Sequence, residues 1–142
     1  MDAADDVLAR ARTGVPVDGA LLSALDLKGA DLRGARISNG SFAGRDLSGA
    51  DLSGSVLTSV DLSGTRFAGA KLRDAVLTQL TMHGTDFSDA DLTGASLGGS
   101  DLRRARFLRA DLSGADLTAA QLDAAEFTGA QLTSAKLVQA NL

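Results

Sequence analysis

The sequence lacks most of the residue types on which chemical sites depend. Its 142 residues include no cysteine, tryptophan or tyrosine, a single proline, Pro16, and a single histidine, His83. The absence of cysteine excludes disulfides, thiol nucleophiles and cysteine metal sites. His83 follows an apolar residue in an outward position and is interpreted as a surface residue. We find no catalytic, metal-binding or phosphate-binding pattern, and we predict a protein that is not an enzyme and has no cofactor.

Long apolar runs are also missing. The sequence has no stretch of about 18 apolar residues, so it contains no segment suited to span a membrane as a helix. The chain begins Met1-Asp2-Ala3-Ala4-Asp5-Asp6, which is acidic where a secretory signal would be basic. We therefore expect a soluble, cytoplasmic protein.

What the sequence does have is a five-residue repeat. From Leu22 to Leu142 every fifth residue is large and apolar, at 25 consecutive positions: 18 Leu, five Phe, Ile37 and Met82. We call these residues the centres. Two residues before each centre lies a residue that is Ala in 16 of the 25 units, and two residues after it lies Gly in about half of them. A fixed short period is the mark of a solenoid.

Neither regular secondary structure can bury apolar residues at a period of five. On an α-helix five residues advance by about 500°, so successive centres would face in different directions. On a straight strand an odd period places them on opposite faces. The chain must therefore bend once per unit, and glycine suits the bend because it tolerates a positive φ.

The phenylalanines indicate how many units form one coil. Phe67, Phe87, Phe107 and Phe127 are spaced by 20 residues, or four units. In a 20-residue coil their rings would stack on one wall at the ordinary strand spacing of about 4.8 Å. The residues just before them alternate in charge along the same wall: Arg66, Asp86, Arg106 and Glu126. Adjacent opposite charges favour the same coil length.

These features resemble the pentapeptide-repeat family, whose motif is A(D/N)LXX. The motif is carried by Ala30-Asp31-Leu32-Arg33-Gly34, Ala50-Asp51-Leu52-Ser53-Gly54 and Ala90-Asp91-Leu92-Thr93-Gly94. The resemblance covers about residues 15–142. It implies an all-β fold, a right-handed quadrilateral β-helix of about six coils, with the centre and the small residue before it pointing inward.

We assign residues 15–142 to this β-helix domain and residues 1–14 to a short capping α-helix. The predicted structural core includes Phe67, Phe87, Phe107, Phe127, Leu32, Leu52, Leu92 and Leu112. In the N-terminal segment, Asp2 is a predicted N-cap and Gly14 a predicted C′ residue. The apolar side of this helix consists of Val7, Leu8 and Ala11. A solenoid end exposes its core, and we expect the helix to cover the first coil.

A few units depart from the pattern. Arg45 occupies an inward position, between Leu25 and Thr65 of the neighbouring coils. A buried, unpaired guanidinium is costly, so we expect either a distortion that lets this side chain leave the core or a partner inside it. Larger residues also stand at the small position in Leu25, Val60 and Leu80, where we expect local widening.

Three parts of the surface are candidate interaction sites. The first is an acidic wall of Asp31, Asp51, Asp91 and Asp111. The second is a basic cluster of Arg103, Arg104, Arg106 and Arg109. The third is the last coil with Leu137 and Leu142, over which the sequence shows no covering segment. An uncovered edge pairs with another copy, pairs with a partner, or is followed by further chain.

The leading interpretation is a non-enzymatic scaffold or protein–protein interaction module with a protein partner, or a homodimer formed through the C-terminal coil. The family resemblance implies two alternatives. One is a DNA mimic that binds DNA gyrase, either inhibiting it or protecting it from quinolones or toxins, which requires a strong negative field. When Asp74 and the basic residues of the same wall (Arg33, Lys71 and Arg73) are included, the acidic wall has a net charge of only −2, and no wall is a continuous acidic stripe. The other is the repeat domain of a larger bacterial effector or adaptor protein. The net charge of −4 disfavours direct binding to nucleic acid.

Overall fold

The protein is a β-helix solenoid with a short helix at its N-terminal end. The computed structural model describes residues 3–142. Its elements in chain order are α1 (Ala3–Arg12), β1 (Val17–Asp18), α2 (Gly19–Leu22), β2 (Arg36–Ser38) and β3 (Val56–Thr58). The three strands form one parallel sheet in the order β1-β2-β3, with Val17 paired to Ile37 and Ile37 to Leu57.

Beyond these strands the coils are joined by single-residue parallel bridges. Each bridge links a residue to the one 20 positions later, from Asp31 and Asp51 to Gln121 and Asn141. The coil of four units expected from the phenylalanine spacing is therefore the observed one. The right hand of the helix and the number of about six coils stay predictions.

Neighbouring coils are joined by backbone hydrogen bonds, and more N–H groups donate toward the following coil than toward the preceding one. In the regular coils the N–H of a centre and the N–H two residues later donate toward the following coil, as Leu112 does to Gln131 O and Gly114 to Thr133 O, both at 2.8 Å. Only one N–H per unit donates in the other direction, as Gln131 does to Ala110 O at 2.9 Å. We call the edge of a coil that faces the C-terminus its upper edge. An upper edge therefore presents two donors for each acceptor, and a lower edge presents two acceptors for each donor.

The core is a column of centres lined by small residues. The residues predicted for it are fully buried, except that Phe127 is only partly buried. The rings of Phe67, Phe87, Phe107 and Phe127 stack, with successive centroids 5.4, 5.2 and 5.0 Å apart and planes within 8° of parallel. The stack is the arrangement that the 20-residue spacing predicts, and it provides favourable aromatic contacts on one wall.

The bends lie two residues after each centre and have a left-handed backbone in every unit from Gly29 to Gln139. The positions that are not glycine have the same conformation, including Ala119 and Ala124, each with φ of 59°. A side chain with a Cβ is strained there by about 1–2 kcal/mol. The coil therefore imposes the bend even where the sequence has no glycine.

Helix α1 covers the N-terminal end of the core. Ala11 is fully buried, and Val7 and Leu8 are partly buried against the core. Gly14 has φ of 76°, as expected of a residue that ends a helix. The predicted N-cap Asp2 lies outside the described residues.

Helix α2 was not predicted from the sequence. The Asp18 carboxylate accepts a hydrogen bond from the Ala20 N–H at 2.9 Å and so caps the first turn. Gly19 lies against the backbone of Asn39, and the space there does not admit a Cβ atom. The turn is part of the coil's own path, which explains why the five-residue register continues through it.

Arg45 leaves the core by the first of the two expected routes. The residue is exposed, and its guanidinium donates a hydrogen bond to the Ser23 carbonyl oxygen. One coil later Thr65 is buried at the corresponding position, and its hydroxyl donates to the Phe42 carbonyl at 2.8 Å. A buried charge is thus avoided, and no partner inside the core is required.

Leu80 is accommodated by a hydroxyl from the following coil. In a regular unit the N–H of the small residue donates to the preceding centre, as Ala75 does to Leu72 O at 3.1 Å. At Leu80 this bond is replaced, because its N–H donates to Ser100 Oγ at 3.0 Å. The Ser100 hydroxyl in turn donates to Leu77 O at 2.7 Å. The expected widening at Leu80 therefore consists of one hydroxyl inserted into a turn.

Candidate interaction surfaces

The acidic wall is interrupted by a lysine. Asp31 bridges to Asp51, and Asp91 bridges to Asp111, but Lys71 lies between the two pairs and bridges to Asp51 and Asp91. The four carboxylates are thus brought to one wall, as expected. They do not form a continuous negative stripe.

Each of these aspartates also supports the turn that follows it. The carboxylates of Asp51, Asp91 and Asp111 accept hydrogen bonds at 3.0 Å from the backbone N–H two residues later. This is an Asx turn, in which a side chain takes the place of a backbone acceptor. Hydrogen bonding from Ser113 lowers the pKa of Asp111 below its ordinary value. The Asp of the repeat motif is therefore explained by the fold.

Two arginines pair with the acidic wall. Arg33 donates two hydrogen bonds to the Asp31 carboxylate, at 2.9 and 2.8 Å. Chiefly through these bonds, the pKa of Asp31 is lowered to about 2. Arg73 lies 3.5 Å from Asp91. These contacts leave the wall with mixed charge, which weakens the field that a DNA surrogate needs.

The basic cluster is largely paired with acids as well. Arg103 forms a two-point contact with Asp101 at 2.8 Å, and Arg109 forms one with Asp89 at 2.8 and 2.9 Å. Arg106 lies 3.8 Å from Glu126. Within residues 3–142, Arg104 is the member of the cluster that has no ion pair. The cluster is therefore a mixed surface and offers little uncompensated positive charge.

His83 lies beside a shallow surface depression that is also lined by Arg103, Arg104 and Asp123. In the part of the chain that the structure describes, no group of three or more His, Cys, Asp or Glu residues could hold a metal ion.

Across residues 3–142, no helix has both the length and the apolar character needed to cross a bilayer.

The last coil, residues 123–142, has an uncovered end. Among its centres, Leu132 is 36% exposed and Leu142 is 75% exposed, and Phe127 and Leu137 are only partly buried. The centres one coil earlier are almost completely buried: Phe107, Leu112, Leu117 and Leu122. We call this uncovered end the open end. It brings both residues predicted for it, Leu137 and Leu142, onto one apolar surface.

The open end also carries backbone groups that the sequence reasoning missed. At the positions whose N–H groups donate to the following coil elsewhere in the molecule, eight residues of the last coil have no partner in the described chain: Ala124, Phe127, Gly129, Leu132, Ser134, Leu137, Gln139 and Leu142. At the positions whose carbonyl groups accept from the following coil elsewhere, four residues are also unpaired: Ala125, Ala130, Ala135 and Ala140. The repeat gives no signal for this imbalance, which follows from the direction of the bonds between coils.

Two family models match the chain. One, described as a pentapeptide repeat region, matches residues 30–107, and the other, pentapeptide repeats in eight copies, matches residues 110–142. The search of curated proteins found no match.

Solved structures are similar to this fold. A pentapeptide repeat protein, Rfr23, from the cyanobacterium Cyanothece 51142 is 21% identical, with a TM-score of 0.62 over 98% of this chain and 95% of that one. A pentapeptide repeat protein from Nostoc PCC 7120 is 25% identical, with a TM-score of 0.55 over 71% of this chain and 83% of that one. QnrB1, a plasmid-mediated fluoroquinolone resistance protein, is 18% identical over 85% of this chain and 78% of that one, with a TM-score of 0.36.

These structural similarities differ in what they support. The first two concern the fold, and the similarity to QnrB1 is too low to support an argument about function. The first family model alone spans more than half of the sequence. Together with the 20-residue coil and the inward centres, the two family models show that the chain belongs to the pentapeptide-repeat family.

Proposed function

We propose that the protein is a rigid, non-enzymatic scaffold that binds a protein partner through its open end. One observation carries the proposal: the same repeat positions that are buried in the preceding coil are exposed in residues 123–142. An exposed set of apolar residues next to unpaired backbone groups is typical of an interaction site. The β-helix domain of residues 15–142 and the capping segment of residues 1–14 are part of this proposal.

The rest of the surface favours a protein partner over nucleic acid. The acidic wall and the basic cluster are both neutralised in part by their own ion pairs, such as Arg33 with Asp31 and Arg109 with Asp89. Such mixed walls suit a scaffold whose shape is held by the coil ladder. The cytoplasmic location and the absence of catalysis stay predictions.

Site-specific photo-crosslinking in cells that naturally produce the protein tests this function. A photoreactive residue would replace Leu142 at the open end. The matched control replaces Leu21, a leucine that is 51% exposed near the covered end. We expect covalent protein adducts from position 142 and few from position 21. Equal adducts from both positions, or none from position 142, would contradict the proposal.

The gyrase-directed DNA mimic is the alternative that the family resemblance implies, and the pairs of stacked aspartates on the acidic wall favour it. Lys71, Arg33 and Arg73 oppose it, because they reduce the negative field on that wall. A supercoiling titration of DNA gyrase, with and without a quinolone, measures this activity. Inhibition or protection at micromolar protein or below would replace the scaffold proposal.

A further inference from the structure

We propose that the open end docks onto the lower edge of a β-solenoid coil from a different polypeptide. This inference rests on the proposed function and names the chemistry of the partner. A lower edge presents two carbonyl acceptors for each N–H donor, and the open end presents two donors for each acceptor. The partner is thus recognised by backbone pairing together with apolar contact.

The junction between the last two coils illustrates the required fit. Between residues 103–122 and residues 123–142, eight N–H groups donate upward and four donate downward. The upward bonds include Phe107 to Glu126 O at 2.7 Å and Leu117 to Lys136 O at 2.8 Å. A lower edge placed on the open end would repeat this pattern and provide partners for the eight N–H groups and four carbonyl groups named above.

A second copy of the chain fits the open end poorly in an end-to-end arrangement. Two open ends facing each other bring twice the eight donors and twice the four acceptors. At least half of the N–H groups would then lack a backbone acceptor. Leaving buried donors unpaired opposes association, because each has lost its bonds to water.

A second copy cannot readily supply its lower edge either. Helix α1 lies over that end of the core, where Ala11 is fully buried and Val7 and Leu8 pack against the core. A head-to-tail contact would have to displace this helix. The cap therefore also keeps copies of the chain from growing into an open filament. The partner that fits is a different chain whose lower edge is uncovered.

Side chains of the last coil add specificity. The upper face of the Phe127 ring continues the aromatic stack and suits another large apolar residue in the same register. Asp123 and Glu126 favour basic residues above them, and Lys136 favours an acid. The coil of residues 103–122 has this arrangement on its own side of the junction, since Arg106 bridges to Glu126 and Asp116 bridges to Lys136.

A synthetic peptide with the sequence of residues 103–122 is therefore the probe. It would be added to the full chain, and amide hydrogen exchange would be followed by NMR. We expect exchange at Phe127, Leu132 and Leu137 to slow by about tenfold or more, because these amides gain carbonyl acceptors. A peptide of residues 83–102 is the matched control. It would place Asp86 above Glu126 and Ser96 above Lys136, and it should protect these amides less.

Two variants of the full chain locate the binding. Leu137→Glu puts a charge at a centre of the open end and should abolish the protection. Val138→Glu changes the adjacent residue, whose side chain points outward and is 63% exposed, and should leave the protection in place. Equal protection in both variants would place the peptide elsewhere and overturn the inference.

A fusion of the peptide to the chain covers the case in which the free peptide binds too weakly to protect the amides. The same 20 residues would follow Leu142 through a flexible Gly/Ser linker, which raises their effective concentration to the millimolar range. Absence of protection in both formats overturns the inference. So does protection that rises with protein concentration in the absence of peptide, because two copies would then be pairing at this end. If a photoreactive residue at position 142 still forms protein adducts while these amides stay unprotected, the scaffold function stands and this mode of docking fails.

Discussion

The two ends of the solenoid carry the same repeat but are covered differently. At the N-terminal end, Leu22 and Leu32 are fully buried because α1 lies over the first coil. At the C-terminal end, Leu132 and Leu142 occupy equivalent positions and are exposed. A centre is thus buried only when a coil or a cap lies on both sides of it. Burial in this fold depends on the neighbouring layer as much as on the residue itself.

The covered and open ends also differ in their unpaired backbone groups. At every internal junction the donors of one coil meet the acceptors of the next, as Gly114 N–H meets Thr133 O. At the open end these bonds between coils are absent, although residues 123–142 keep the five-residue repeat. The open end combines apolar exposure with unused donors, and this combination distinguishes a binding edge from an ordinary exposed leucine.

The largest expected effect comes from truncating equivalent leucines on one wall. Leu32→Ala should lower the free energy of unfolding by about 2–5 kcal/mol, because it opens a closed cavity. Leu132→Ala should cost about 1 kcal/mol or less, because its site is already open to water. Urea unfolding of both variants measures the difference, with Leu92→Ala as a mid-stack reference. Equal losses at positions 32 and 132 would mean that the ends are packed alike.

The second effect is on the cap itself. Ala11→Glu would bury a carboxylate between α1 and the core and should destabilise the protein by about 2 kcal/mol or more. Ala3→Glu, on the exposed first turn of the same helix, is the control and should have little effect. Hydrogen exchange at Val17 should quicken in the first variant, while the last coil should be unchanged. A uniform change along the chain would show that α1 is not a local cap.

The third effect concerns the bends. Gly29→Ala in the first coil should cost about 1 kcal/mol, because φ is 68° there although no atom lies within 4 Å of a new Cβ. Ala124→Gly in the last coil should stabilise by roughly 0.5 kcal/mol, since relief of strain outweighs the greater flexibility of glycine. Thermal unfolding of the two variants should therefore shift in opposite directions. Shifts of the same sign would show that backbone strain does not decide these positions.

The smallest expected effect is a difference in acid sensitivity. The pKa of Asp31 is lowered from 3.8 to about 2, chiefly by its hydrogen bonds from Arg33. A lowered pKa stabilises the fold above the ordinary pKa, and this contribution is lost as the pH falls from about 4 toward 2. Exposure of the pair keeps the effect small. Asp31→Asn should flatten the dependence of the melting temperature on pH in this range. Gln131→Asn, on the same wall of the last coil, should leave it unchanged.

Several features of the fold could be predicted from particular residues. The spacing of Phe67, Phe87, Phe107 and Phe127 predicted the coil of 20 residues, and the rings stack accordingly. The misplaced charge of Arg45 predicted either an exit from the core or a partner inside it. The structure shows the exit, and its acceptor, the Ser23 carbonyl, could not be predicted from the pattern. The coil length and the inward position of Arg45 follow from the periodic pattern, whereas the identity of the acceptor does not.

The candidate sites were predicted less completely. The sequence placed Asp31 and Asp51 on one wall, but not the turn that each supports or the contact of Arg33 with Asp31. It located the open end at Leu137 and Leu142 and missed the surplus of N–H donors there. These features depend on side-chain direction and on the polarity of bonds between coils, which residue types do not specify.

By itself the sequence determined the period, the inward residues and the length of the coil, because those follow from the spacing of apolar and small residues along the chain. Only the tertiary structure decided which centres are buried, which carboxylates are paired and which backbone groups stay unused. Phe107 and Phe127 stand at equivalent positions and differ in burial because only the first has a coil above it. The physical reason is that every unit completes its contacts with residues 20 positions away.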